Sequence, residues 1–413
     1  MSAFRFRGGG QKRPAMRENA RLHGDISFAT GLPVCYTAAM DKKNLEVITE
    51  FRHELHRHPE LSLQETETIK KIHAFLENNT SLYVEERDGW LFAVKEGNDP
   101  EAGGIAFRAD MDALPIDEQG TGLVYISENP GVSHKCGHDG HCAALAGLAL
   151  ELDKTEVVKT VYLIFQCAEE IGAGAVKAAG IIKEKGIREI YAFHNLSGYP
   201  EGSIVYRRGL TQPASEGLTV AFSGKTSHAG APEEGRNPSA AIAKTVLFIR
   251  ELNARPREGM AFCTVVGMEA GSGDFGISAG FGKLMVTLRA EEEQEMKSME
   301  EEIISFAERQ AAEEGICISS DISDYFPETR NTEAGIQKVL RAAGECGRKT
   351  VEMENMWRVS EDFGHFLKKC EGAIFYIGNG EDWPPLHTSD YDFNDRILTA
   401  AVEMFRALAV MPS

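Results

Sequence analysis

The sequence predicts an α/β fold: a mixed sheet covered by helices, interrupted by an inserted α+β unit. Two observations carry this. Short β-branched and aromatic runs alternate with helical runs through the first half of the chain and again near its end. Between residues 214 and 328 the rhythm changes to β-α-β-β-α-β, the ferredoxin-like order. The chain of 413 residues is too long for one ordinary core. It divides into 1–40, expected to be a disordered extension; 41–213, the first part of an α/β domain; 214–328, the insertion; and 329–413, the second part.

Each element has a local cause. From Lys42 to His58, Leu45, Ile48, Phe51 and Leu55 recur at helical spacing, and Pro59 ends the run. A second helix covers Glu65 to Leu76. GGIAFRAD reads as a buried strand, CAALAGLALEL as a helix, TVYLIFQ as a strand, AVKAAGIIKEK as a helix and EIYAFHN as a strand. In the insertion, GLTVAFSG, AFCTVVGMEAG, FGKLMVTLRA and ICISSDIS are strands. PSAAIAKTVLFIREL and EEQEMKSMEEEIISFAERQAAEE are its helices. The acidic run from Glu291 to Glu302 is a solvated helix face, because it lacks the glycine-turned loop of an EF-hand. Helices return at Thr332–Ala343, Glu361–Lys369 and Arg396–Leu408, with the strand GAIFYIG between the last two.

Composition narrows the function. The net charge of −19 argues against nucleic acid or an anionic membrane as partner, and no apolar run approaches a bilayer span. The eight cysteines show no framework spacing, as in a reduced cytoplasmic protein. The Arg-rich start, with Arg5, Arg7, Lys12, Arg13, Arg17 and Arg21, has the composition of a transit peptide. Met40, followed at once by a good helix, favours an extension without function.

Polar residues collect where strands end. Asp110 and Asp112 close one strand, Glu169 and Glu170 another, His194 and Asn195 a third, and HKCGHDGH opens a helix. Ligands in open α/β sheets bind outside the carboxyl ends of strands. A structural zinc knuckle needs four closed ligands, usually in paired Cys units, and no second pair follows Cys136 and Cys142. The mixed set of thiolate, imidazole and carboxylate suits a borderline-soft cation. In the twin glutamates, one carboxylate can hold metal while its neighbour takes a proton from water.

In order along the chain, HELHRHPELSLQET, RADMDALPID, CGHDGH, FQCAEE, FHN, GKTSHAGAP, EDFGHF and LHTSDYDF resemble the signature segments of the M20 amidohydrolases and metallopeptidases. The similarity is greatest to the branch of N-acyl amino acid deacylases, hippurate hydrolases, auxin-conjugate hydrolases and aminobenzoyl-glutamate hydrolases, and it runs from about Leu45 to the C-terminus. It implies a catalytic domain with an inserted lid that often dimerises, and two divalent cations, zinc or manganese, with cobalt or nickel as substitutes. Carried across by motif, the metal ligands are Cys136, His138, Glu170, His194 and His387, and Glu169 is the general base. Asp112 orients an imidazole, and His228 in the lid meets the substrate, sometimes in the partner subunit. The expected reaction is hydrolysis of the amide of an N-acylated or N-aroylated amino acid by a homodimer. Alternatives are an aminobenzoyl-glutamate hydrolase, a dipeptidase, or a silent metal-binding member; the Cys-Gly-His loop points away from the carbamoyl-cleaving branch.

Some residues depart from the pattern or distract from it. Cys167 stands where the branch has proline and Cys142 where it has threonine, both packing changes. GSGDFGISAG replaces an Asn-Val-Ile-Pro-like segment on the lid side of the site, which bears on substrate recognition. His53 and His56 lack zincin spacing and are read as packing and orienting groups. His141 is read as a helix-start histidine, Asp110 as a strand-end hydrogen-bonder and His365 as a partly exposed helix residue. Arg236 and Arg289 in the insertion are the candidate forks for a substrate carboxylate.

Overall fold

A computed structural model describes residues 40–118 and 121–411. The expected extension therefore lies, apart from Met40, outside the described residues. In chain order the strands of the larger sheet are β1 (Tyr83–Arg87), β2 (Trp90–Lys95), β3 (Gly104–Asp110), β4 (Thr160–Gln166), β5 (Ile187–Ser197) and β6 (Ile204–Tyr206). The chain then runs through β7 (Gly209–Gln212), β8 (Ala214–Ser223), β9 (Ser227–His228), β10 (Ala261–Ala270), β11 (Ile277–Ser278), β12 (Phe281–Ala290), β13 (Cys317–Phe326) and β14 (Thr329–Asn331). It returns to the larger sheet with β15 (Thr350–Glu352) and β16 (Glu371–Gly380).

The larger sheet has the order β1-β2-β4-β3-β5-β16-β6-β15. β4, β3, β5 and β16 are mutually parallel, while β2 joins β4 and β16 joins β6 antiparallel, so the sheet is mixed as predicted. All seven residues of β3 are buried, as befits a central strand with both faces covered. On one face Ile105 and Phe107 pack with α1 (Lys42–Arg57), α3 (His138–Asp153), α8 (Glu333–Glu345) and α10 (Leu398–Val410). On the other, Ala106 and Ile190 pack with α4 (Ala175–Ala178), α5 (Gly180–Glu184) and α9 (Gly364–Leu367). α2 (Thr66–Asn79) closes the edge over β1 and β2.

α3 is apolar almost all round, and it is buried on nearly every side between the sheet, α1 and α10. Its start is fixed by Gly137, whose φ of 94° is left-handed. A Cβ there would stand 2.6 Å from Oδ1 of Asn195.

The insertion follows its predicted order as β8-α6-β10-β12-α7-β13, with α6 at Ser239–Asn253 and α7 at Glu293–Glu313. Its sheet is antiparallel, in the order β10-β12-β8-β13, and has its own apolar core. Leu284, Val286 and Leu288 of β12 pack in that core with α6 and α7. By strand alternation, Lys283, Met285, Thr287 and Arg289 belong to the opposite face. Two differences from expectation have local causes. The helix read over Glu361–Lys369 is cut to α9, because Glu361 and Asp362 turn inward to buried partners. AVKAAGIIKEK is broken into α4 and α5 just before Gly180.

Candidate metal centre

The ends of β3, β4 and β5 meet the start of α3. Cys136 sits in the middle: its Sγ lies 3.4 Å from Nε2 of His194 and 3.3 Å from Nε2 of His387. Oε1 of Glu170 is 3.5 Å from Nε2 of His387 and 3.7 Å from Nε2 of His138. Two groups of ligand atoms therefore overlap, Cys136/His138/His194 and Cys136/Glu170/His387, each within 4.8 Å of one another and sharing the thiol. These are the five residues that the sequence assigned to metal, and the fold gathers them all.

The backbone is bent to do so. His387 has a φ of 61°, held by its N–H donating to the carbonyl of Lys135 at 2.8 Å. Ala168, just before the twin glutamates, has a φ of 50°, held by its N–H donating to Oε1 of Glu65 at 2.7 Å. Left-handed backbone at non-glycine residues costs about 1–3 kcal/mol and persists where surrounding contacts over-determine it.

Hydrogen bonds at the outer nitrogens aim the rings inward. Nδ1 of His138 lies 2.8 Å from the carbonyl of Asp112, and Nδ1 of His194 lies 2.8 Å from the carbonyl of Asn195. Donation from Nδ1 leaves each Nε2 with its lone pair toward the cluster. Nε2 of His138 and Oε1 of Glu170 are buried and have no hydrogen-bond partner. Two orphaned acceptors beside a thiol are the donor set a divalent cation completes, so the residues fit the expected metals.

Burial first, then Glu170 and Glu169, hold the Cys136 thiol well above its ordinary range. Burial opposes charge on His138, but Asp110, Asp112 and Glu170 outweigh it and push the ring up to about 10; this is a field that favours positive charge. Burial, then His141, holds His194 well below its ordinary range, as a neutral ligand requires. Burial first, then Glu361 and Glu170, hold Glu169 well above the usual carboxylate range. Oε2 of Glu169 is 3.9 Å from Nε2 of His138, so it borders the cluster.

Asp112 faces His138 through two oxygens: Nδ1 of the ring lies 2.8 Å from its main-chain carbonyl and 3.3 Å from Oδ1. The carboxylate accepts from the N–H of Glu170 at 3.0 Å and from Ser62 at 2.7 Å, fixing the glutamate turn. Asp110 at the strand end and His141 at the helix start are hydrogen-bonding groups, as read from the sequence. His141 spans from Asp110 at 2.5 Å to Oδ1 of Asn195 at 2.6 Å, and Asn195 donates to Tyr391 at 2.6 Å. Sequence reasoning missed the strut behind Glu169. The buried guanidinium of Arg108 binds Asp110 at 2.6 Å, Gln166 at 2.9 Å, Asp362 at 2.8 Å and Glu361 at 3.1 Å. The RAD and SEDF segments were its only signal. Trp357 was missed too; its ring meets His194 edge-on at 5.5 Å.

The insertion residues lie apart from this cluster. His228 is exposed on β9, paired with Ile277 of β11, and its Nδ1 accepts from the N–H of Gly230. Arg236 is exposed and donates to the carbonyl of Gly235. Arg289 is half-buried on β12.

Below the Cys136 loop lies a buried ionic layer. His56 bonds Asp139 at 2.7 Å and Glu118 at 2.9 Å; Lys135 also bonds Glu118, and Arg52 bonds Asp139 at 3.1 Å. Burial disfavours the charged ring of His56, but Asp139 and Glu118 raise it from 6.5 to about 9. Its stabilising contribution is therefore complete below about pH 6.5, shrinks as pH rises, and is gone above about pH 9. Denaturant unfolding at pH 6 and pH 9.5 should show a loss on the order of a few kcal/mol. His56→Gln should be less stable at pH 6 and reduce that slope; an unchanged slope would contradict the assignment.

A hydrolytic metal enzyme is the class that this fold and cluster define, and comparison with known proteins agrees. Residues 106–410 match peptidase family M20/M25/M40. The chain is 32% identical over 375 residues to the N-acetylcysteine deacetylase of Bacillus subtilis (strain 168), covering 88% of this chain and 96% of that enzyme. It is 29% identical over 372 residues to the hippurate hydrolase of Campylobacter jejuni, covering 87% and 95%. The crystal structure of the Bacillus subtilis YXEP protein, described as a dinuclear metal-binding peptidase of the M20 family, superposes with a TM-score of 0.74. Its identity is 28%, and the match covers 90% of this chain and 98% of that one. The chain belongs to peptidase family M20/M25/M40 and is an amidohydrolase of that family.

Proposed function

We propose that this enzyme cleaves the amide of N-acylated or N-aroylated amino acids. The observation that carries the reading is Glu169, a carboxyl with a raised affinity for protons, bordering two ligand triads that share one thiol. Cys136, His138 and His194 would hold one divalent cation, and Cys136, Glu170 and His387 the other. When bound, the pair supplies an acidified water and a polarised amide carbonyl. Glu169 accepts the proton from that water and returns it to the leaving amine. Asp112 holds the glutamate turn in register, and Arg108 braces the strand ends. The thiol, imidazole and carboxylate set suits zinc first, with manganese as the alternative.

Residues 214–328 act as the lid in this reading, with 41–213 and 329–413 as the catalytic part. A second copy would meet the lid along β10, which pairs only with β12 among the described residues. Val266 and Met268 of β10 are exposed, as are Phe275, Ile277 of β11, which pairs with His228, and Phe281 of β12. His228 then donates to the developing oxyanion of the partner's substrate. No described helix is long and apolar enough to cross a membrane, and the reading places the enzyme in the cytoplasm.

The test is hydrolysis of N-acetyl, N-benzoyl and p-aminobenzoyl amino acids and dipeptides by protein of known metal content. Turnover of at least one acylated amino acid, abolished by chelator and restored by zinc or manganese, is expected. Turnover that survives complete metal removal would overturn the reading.

A further inference from the structure

We infer that Gln212 is a substrate-binding residue and that the preferred substrate carries a second, neutral amide beside the one that is cleaved. The inference rests on the amidohydrolase reading and names a substrate class for the same centre.

β7, which ends at Gln212, is the last strand before the insertion, and β14 is the first after it. The two pair antiparallel with Gln212 opposite Thr329, so both crossings into the insertion run side by side. Gln212 is 1% exposed, and neither Nε2 nor Oε1 of its side chain has a hydrogen-bond partner among the described residues. The other buried carboxamides, Gln166, Asn195, Asn331, Asn379 and Asn394, each keep at least one. A carboxamide offers two donors and an acceptor, and leaving all of them unmet in the interior is costly unless something from outside the chain meets them.

The ladder shows which way the side chain faces. Residues directly opposite in an antiparallel pair share a face, and successive residues alternate. Thr211 turns one way, with Oγ1 2.8 Å from the hydroxyl of Tyr376. Gln212 turns the other way with Thr329, whose Oγ1 donates to the carbonyl of Glu361 at 3.2 Å. The carboxylates of Glu361, Glu169 and Asp362 form one group, with an oxygen of each within 4.8 Å of the others. On the flank, Trp357 donates its main-chain N–H to the carbonyl of Thr211 at 2.9 Å and sets its ring against His194 at 5.5 Å. Gln212 therefore stands between the residues that back the general base and those that back a metal ligand, where the insertion joins the centre.

The surroundings select the ligand. Buried carboxylates at Glu169, Glu361 and Asp362 disfavour a further anion on that side. An alkyl or aryl group would leave the amide unmet. A second carboxamide answers the donors and the acceptor of Gln212 together, and it can come from the acyl group or from the amino acid side chain.

The experiment compares two matched pairs on the holoenzyme: N-acetylglutamine with N-acetylmethionine, and succinamoyl-leucine with 4-methylpentanoyl-leucine. Each pair sets an amide against an apolar group of similar length. At least one amide compound should be favoured by about 10–100-fold in kcat/KM, the scale of a buried polar group gaining its partner. The pair that shows the preference identifies the side that carries the amide. Gln212→Met should bring that ratio to about one. It should also raise the melting temperature of the substrate-free holoenzyme by removing an unmet amide, whereas loss of a residue that bonds the two crossings together would lower it. No preference in either pair, a preference that Gln212→Met leaves in place, or a lowered melting temperature overturns the inference. If no amide at all is cleaved, the amidohydrolase reading fails on its own, and calorimetric binding decides. Glutamine held more tightly than methionine, or succinamate more tightly than 4-methylpentanoate, with the difference lost in Gln212→Met, sustains the inference; equal binding within both pairs refutes it.

Discussion

Glu169→Gln is expected to keep both cations and to lose about 10²–10⁴ in turnover, the usual contribution of a general base. The amide is close in shape to the carboxylate, so the turn after β4 should keep its hydrogen bonds. Neither of the triads that meet at Cys136 includes Glu169, which leaves the cation ligands complete. What the substitution removes is the ability to take a proton. Burial, Glu361 and Glu170 raise the affinity of Glu169 for that proton, so the group can hold it long enough to pass it to the leaving amine. Metal content by mass spectrometry and initial rates on the best substrate check both halves. Full activity would refute the assignment of the base, and loss of metal would make Glu169 a ligand instead.

Much of this centre was legible because strand ends are. Asp110, Gln166 and His194 are read as the ends of apolar runs, and an α/β sheet brings such ends to one edge whatever the loops do. The ligand loop was legible because cysteine and histidine are rarely grouped before an apolar helix without a reason. Other features depend on side-chain direction across the fold, which spacing does not reveal. Asp112 illustrates the limit. Its position beside His138 follows from the RADMD strand end, yet its carbonyl and Oδ1 both face the ring while Oδ2 serves Glu170, a division that spacing does not reveal. Arg108 looks like any strand residue, and its four partners lie 2 to 254 positions away in sequence. The hairpin β1–β2 was missed because YVEER alternates only weakly between exposed and half-buried positions. The helix read at Glu361–Lys369 failed for a different reason. Its first two residues form buried polar contacts that outweigh helical propensity.

The largest loss of metal is expected from Cys136→Ser. Sγ of Cys136 is the only ligand atom common to the two triads, standing between Nε2 of His194 and Nε2 of His387. Replacing thiolate by a hydroxyl, which stays protonated near neutrality and offers a harder, weaker donor, takes one ligand from each cation at once. His138→Ala or His194→Ala takes a ligand from one triad alone. Bound metal should therefore fall from about two per chain to well below one in Cys136→Ser, and to about one in either histidine variant. Cys142→Ser is the control. That thiol lies six residues further on, is fully buried, and donates to the carbonyl of Asp110 at 3.1 Å; it belongs to neither triad. It should keep both cations and most of the activity. Retention of two cations by Cys136→Ser would mean that the thiol packs beside the centre without bridging it. Each cation would then have to be held by the remaining imidazoles and carboxylates, with Glu169 or Asp110 completing the sets.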